Sequence, residues 1–240
     1  QGDWSSDVCS SDLATTRTLI EDVSKIAKAV LVLESAIDGK LKVGRKGTSW
    51  YRITIHGRAA HAGLEPEKGV NATVEVARIV NELTKLENKS LGTSVVPTTM
   101  TSGTTTNTVP ALATLDIDSR SFSLDEMQRI DSAIRSITPI HPDARIEIAG
   151  GINRPPLETS ATLPLYQLAE KLAKDAGISS LGSASVGGAS DGNFAGQFTQ
   201  VLDGLGAVGD GAHANHEHIL ASTLEPRSKL LTLLVNEILK

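Results

Sequence analysis

His213 is the residue whose surroundings point most directly to chemistry. It lies in Gly209-Asp210-Gly211-Ala212-His213-Ala214-Asn215-His216-Glu217-His218, after an apolar run and before a helical tail. Imidazole nitrogen is a good zinc ligand, and flanking glycines let a loop close tightly on an ion. One histidine does not hold a metal, so the reading depends on partners elsewhere in the chain. Glu34 stands at a second position open to ligand chemistry. It follows the continuous apolar run Ala29-Val30-Leu31-Val32-Leu33, the pattern of a strand buried in a parallel sheet. Open α/β sheets gather their ligand chemistry at the carboxyl ends of such strands. By spacing alone, Glu34 also reads as an ordinary carboxylate at a strand end, and His213 as a solvated loop residue.

Other residue types invite chemistry less directly. His61 sits among small residues in Gly57-Arg58-Ala59-Ala60-His61-Ala62-Gly63, and its spacing alone indicates a plain loop histidine. Arg154 precedes two prolines; its guanidinium suits a carboxylate, and the alternative is a surface arginine. Gly187-Gly188-Ala189-Ser190-Asp191-Gly192 opens into a short helix, so it is either an ordinary turn or a set of backbone amides facing an anion. Arg120 follows Asp116 and Asp118 on a strand and pairs with one of them. His216 and His218 read as solvated neighbours, His56 as structural, and His141 as a turn residue.

The elements that must carry these residues can be read from periodicity. A helix is expected over 15–27, with Leu19, Ile20, Val23 and Ile26 on one side. From residue 49 the pattern changes. Tyr51, Ile53 and Ile55 alternate in a strand, and 70–86 has a helical period. Strands follow around 94–103 and 111–118. Ser123 and Glu126 form a capping-box pattern for a helix ended by Pro139, and 145–149 is a last strand. The order β-α-β-β-α-β is that of a ferredoxin-like unit. Beyond Pro156, helices are expected over 163–176 and 222–239, and a strand over 200–205. One domain therefore interrupts another: 14–47 and 155–240 form one, and 48–154 the other. Residues 1–13 carry a near-repeat, Ser-Ser-Asp-Val then Ser-Ser-Asp-Leu, and read as a non-native segment or an unstructured tail.

Composition removes several function classes. A net charge of −5 and 3% aromatic residues argue against a nucleic-acid surface. No apolar run reaches membrane-spanning length. The single Cys9 excludes an internal disulfide framework.

Eight segments occur together in one order: Leu31-Val32-Leu33-Glu34, Gly44-Arg45-Lys46-Gly47, Gly57 to Gly63, Gly69-Val70-Asn71-Ala72, Asn107-Thr108-Val109-Pro110, Asp118-Ser119-Arg120, Gly187 to Asp191 and Gly211-Ala212-His213. In this the chain resembles the dinuclear-zinc peptidases and deacylases: glutamate carboxypeptidase, aminoacylase, acetylornithine deacetylase and succinyl-diaminopimelate desuccinylase. It is most similar to the glutamate carboxypeptidase branch. The resemblance implies a partial doubly wound α/β catalytic domain interrupted by a ferredoxin-like dimerisation domain. It implies two zinc ions, with cobalt or manganese as substitutes, Glu34 as a ligand of one metal and His213 of the other. It implies that His61 reaches a partner subunit's site to stabilise an oxyanion, and that Asn107, Arg154, Gly188 and Ser190 contact substrate.

The function implied is hydrolysis of an amide bond beside a free carboxylate, in small peptides or N-acyl amino acids, by a homodimer formed through 48–154. The family's remaining ligands and its glutamate general base are expected upstream of this chain. The chain is therefore expected to be a C-terminal fragment, inactive alone. The competing expectation is a dimerisation module without chemistry. Compartment, cytoplasmic or periplasmic, is left open.

Overall fold

The computed structural model describes residues 17–211 and 214–240. In chain order the elements are α1 (Arg17–Ile26), β1 (Val30–Leu31), β2 (Ala36–Ile37), β3 (Leu41–Arg45), β4 (Gly47–His56), α2 (Ala72–Leu83), β5 (Ser94–Ser102), β6 (Leu112–Ser121), α3 (Leu124–Arg135), β7 (Arg145–Arg154), α4 (Thr159–Ala173), β8 (Ser183–Val186), α5 (Gly192–Ala195), β9 (Val201–Leu202), β10 (Val208–Asp210), β11 (His218–Ile219) and α6 (Leu224–Leu239). They fall into two units. Gly47–Arg154 forms an inserted unit; the chain up to Lys46 and Pro155–Lys240 form a split unit.

The inserted unit has the ferredoxin-like order. Its four strands pair antiparallel in the order β5-β6-β4-β7. Alternation places Tyr51, Ile53 and Ile55 of β4 on one face with Ala113, Leu115 and Ile117 of β6. Helix α2 covers that face with Ala72, Val76, Ile79 and Leu83, and α3 with Ile130 and Ile134. Helix α2 starts where Asn71 accepts hydrogen bonds from the amides of Thr73 and Val74. The expected capping box at α3 does not form. Ser123 is the N-cap but makes no side-chain capping bond. Glu126 instead accepts from Arg129 and from the buried Thr93 hydroxyl, stronger partners than an amide one turn back.

The split unit is held by three parallel strand pairs, β1 with β9, β2 with β10 and β3 with β8; β11 adds antiparallel to β10. Its core joins Leu41, Leu202 and Leu205 to Leu165, Ala169 and Ala173 of α4 and to Leu230 and Leu234 of α6. Both strands expected around it are shorter than the apolar runs. Strand β1 is two half-buried residues, and Leu33 is exposed. The chain leaves the ladder there because the carbonyls of Val32 and Glu34 accept from the turn amides of Leu205 and Gly206. Strand β9 ends at Leu202, since Gly204 takes a positive φ. The apolar side of α1 is also not core: Leu19, Val23 and Ile26 are exposed, and Ile20 packs inward. Among the described residues no helix is long and apolar enough to cross a membrane.

One buried carboxylate fixes the loop after α3. Glu75 of α2 is 4% exposed and accepts from the amides of Ile140 and His141 at 2.8–3.1 Å, with Arg78 alongside. Burial works to raise its pKa, but the two amides and Arg78 outweigh it and hold it below the ordinary 4.5. A lowered folded-state pKa stabilises above the unfolded value and loses that contribution as pH falls through the folded one. We therefore expect Glu75→Gln to lower the urea midpoint at pH 7, by roughly 1–3 kcal/mol of stability. The deficit relative to wild type should shrink below about pH 4.5. An equal deficit at pH 7 and pH 3.5 would refute the linkage.

Candidate functional site

The His61 loop is built by close backbone approach. A Cβ on Gly57 would sit 2.1 Å from the Val70 carbonyl, so only glycine allows the chain to pass there. Arg58 and Val70 then exchange hydrogen bonds, the Val109 amide donates to the Ala60 carbonyl, and the Ala62 amide donates to the Asn107 carbonyl at 2.8 Å. Two expected site residues 46 positions apart, His61 and Asn107, are thereby set side by side within the inserted unit. Both are exposed. His61 Nδ1 accepts from the amides of Gly63 and Leu64, each at 3.1 Å. A nitrogen that accepts carries no proton, so in the neutral ring the proton is on Nε2. The loop presents an exposed, oriented N–H donor.

Arg154 ends β7, paired with Thr48, and is 7% exposed. It is a buried guanidinium rather than a surface arginine. Arg120 pairs with Asp118, the nearer of its two expected carboxylates. His56 stands 3.3 Å from Glu147, and His141 accepts at Nδ1 from the Asp143 amide, in keeping with turn and sheet roles.

In the split unit, Glu34 is half-buried in the segment after β1, and its carbonyl accepts from Gly206 at 2.9 Å. A Cβ on Gly206 would lie 2.4 Å from the Leu33 carbonyl and 2.8 Å from that of Glu34. Beside this segment a cleft of about 390 Å³ is lined by Ser35, Asp38, Asp210, Glu217 and His218. His213 lies outside the described residues. Among the described residues no three His, Cys, Asp or Glu side chains gather as a metal-holding group. They do not by themselves make a zinc site, which needs three or four protein ligands.

The Gly188–Ser190 loop rests on a buried ion pair that periodicity did not reveal. Arg45 donates through Nε to Asp203 Oδ2 (2.7 Å) and through Nη2 to Oδ1 (2.9 Å). Its Nη1 donates to the Gly188 carbonyl at 3.0 Å. Ser190 is buried; its hydroxyl donates to Asp203 Oδ2 at 2.6 Å, and its amide donates to Asn193 Oδ1. Ser190 thus supports the loop from within instead of facing solvent. The amides at the start of α5 are also taken: Gly192 donates to Ser190 Oγ, and Asn193 and Phe194 donate to the carbonyls of Ser190 and Asp191. An anion at that helix start, one of the two sequence expectations, finds those donors engaged.

Lys42, on β3, is 4% exposed in the same cluster. Burial, then repulsion from Arg45, hold its ammonium below the ordinary lysine pKa against the attraction of Asp203 and Glu34. The signal for these residues was in the sequence: charged side chains inside the short apolar runs Leu41–Val43 and Val201–Leu205 must find partners.

The two kinds of glycine give a paired test. Gly206→Ala should cost the split unit roughly 1–3 kcal/mol by forcing the Glu34 segment away. Gly187→Ala, where a Cβ meets nothing within 4 Å, should stay within about 0.5 kcal/mol of wild type. Denaturant midpoints measure both, and equal effects would contradict the packing described.

Comparison with known proteins agrees with this architecture. Residues 43–141 match the family model described as a peptidase dimerisation domain. Over 221 residues the chain is 29% identical to carboxypeptidase G2 from a Pseudomonas species, covering 88% of this chain and 52% of that protein. The chain thus spans about half the length of this relative. The fold is shared with aminopeptidase PepT from Bacillus cereus (TM-score 0.73, 19% identity, 94% of this chain and 63% of that one). It is also shared with a tripeptidase from Staphylococcus aureus (TM-score 0.69, 18% identity, 88% and 57%). The inserted unit thus matches a peptidase dimerisation domain, and along most of its length the chain is similar to a carboxypeptidase.

Proposed function

We propose that this chain contributes to a metal-dependent hydrolase that cuts an amide bond next to a free carboxylate, acting as a homodimer through residues 48–154. The observation that carries the reading is the His61 ring. Two backbone amides on Nδ1 leave Nε2–H as an exposed donor beside Asn107, the geometry an oxyanion-stabilising group needs. In this reading His61 donates to the carbonyl oxygen as negative charge builds on it, in the partner subunit's site. Asn107 contacts the substrate backbone next to it. Arg154 and, independently of it, the Gly188 loop are each offered as a contact for the substrate, whose free carboxylate selects C-terminal glutamyl peptides or N-acyl amino acids. Two zinc ions enter through the resemblance, with Glu34 and His213 offered as one ligand to each; bound there, they would polarise the scissile carbonyl.

A second reading, a dimerisation module without turnover of its own, is favoured by the absence of a three-ligand metal group among the described residues. The two readings separate by experiment. Calorimetry should find that this chain alone binds zinc weakly; tight uptake of two ions would overturn the ligand assignment. Sedimentation should show a dimer. In the reading frame that contains this chain, zinc-loaded and assayed on N-acyl and peptidyl glutamates, His61→Ala should lower kcat by about 10²–10³ with KM little changed. Mixing His61→Ala subunits with His213→Ala subunits should restore part of the activity, because one site of the mixed dimer then keeps both groups. No recovery after verified subunit exchange would remove the action in trans, and no hydrolysis by the wild type would leave the dimerisation module.

A further inference from the structure

Arg45 and Asp203 are almost wholly buried, at 4% and 0% exposure, yet apart from each other their side chains bond to one loop, in which Gly188 is exposed. The pair reaches it through the Gly188 carbonyl and the Ser190 hydroxyl. Asn193, fully buried, secures the loop's far end, accepting from Ser190 N and donating to the carbonyls of Lys46 and Pro155. Well-packed apolar side chains stabilise an interior about as well as a buried ion pair does. Apolar side chains would not fix the direction of a carbonyl.

That direction matters because a trans peptide unit points its C=O and its N–H to opposite sides. Arg45 draws the Gly188 carbonyl inward, so the next amide, Ala189 N–H, is turned away from the buried pair. This amide makes no hydrogen bond among the described residues. A Cβ placed on Gly187 or Gly188 would meet nothing within 4 Å, so the loop has open space around it.

Resting on the hydrolase reading above, we infer that Arg45 and Asp203 are positioning residues: they lock the Gly188–Ala189 peptide so that Ala189 N–H receives the free carboxylate of the substrate. Neither side chain touches substrate. Ser190 belongs to the same device, as the strut between loop and Asp203.

The test uses this chain, labelled with ¹⁵N, and N-acetyl-L-glutamate as the probe, with N-acetylglycinamide as the uncharged control. In the wild type the Ala189 amide should have an order parameter near about 0.85 and shift saturably with the charged probe only. Arg45→Lys keeps the charge and removes the forked donors. It should drop that order parameter below about 0.6 and weaken the probe at least about tenfold, while amides of α4 keep their wild-type values. A folded Arg45→Lys variant with unchanged Ala189 dynamics and affinity overturns the inference. Should that variant fail to fold, Ser190→Ala, which removes one strut, reads the same two quantities in the same direction; no change in either then overturns it. A wild type that ignores the probe removes the carboxylate reading of the loop, and the order parameters alone then decide whether the pair positions it.

Discussion

The bidentate bond between Arg45 and Asp203 is the interaction on which the split unit turns. It joins residues 158 apart in sequence, binding β3 to the segment that follows β9. Leaving either charge alone in that interior costs about 3–5 kcal/mol, far more than an exposed pair contributes. The pair therefore acts as a constraint: the 201–206 segment is pinned on one side by Asp203 and on the other by Gly206 against Glu34. Arg227 of α6 adds donors to the carbonyls of Gly39, Gly204 and Gly206. Glu34 and the Gly188 loop, far apart in sequence, are thus both referred to one short stretch of chain.

The inserted unit solves its positioning problem mostly with backbone. Arg58 adds an exposed ion pair with Asp143 and donates to the Lys68 carbonyl. The shape of the His61 loop follows from one glycine that lets two strands of loop touch, and from amides that find carbonyls across the gap. The histidine ring then takes its orientation from the two amides that follow it. A tautomer is fixed by a turn, with no second side chain required.

These two strategies explain what could be read in advance. The inserted unit was legible because alternation and helical period are local properties; Ile53, Ile55, Leu115 and Ile117 appear in the core where the pattern places them. The split unit was less so. Its strands are two to five residues long, and the apolar runs at 29–33 and 200–205 end early because turn amides and a positive-φ glycine interrupt them. Motif order singled out Glu34, His61, Asn107 and the Gly188 loop as candidates. It did not show that Ser190 faces inward, because that depends on Asp203, a residue in none of the motifs. Nor did it show that Glu126 would prefer Arg129 and Thr93 to its own helix start.

The pairing of Thr48 with Arg154 brings the two ends of the inserted unit together. Each parallel strand pair of the split unit joins chain from before Gly47 to chain from after Arg154. In an unfolded chain those partners are separated by the whole insert, and closing so long a loop carries an entropic penalty. Once the insert has folded, its ends form a clasp, and the effective loop shrinks to a few residues on either side. Arg45 and Leu157, which exchange backbone hydrogen bonds just outside the clasp, are the first pair brought within reach. Topology therefore favours one order of assembly: the β-α-β-β-α-β unit closing first, and the parallel strand pairs of the split unit forming outward from its base.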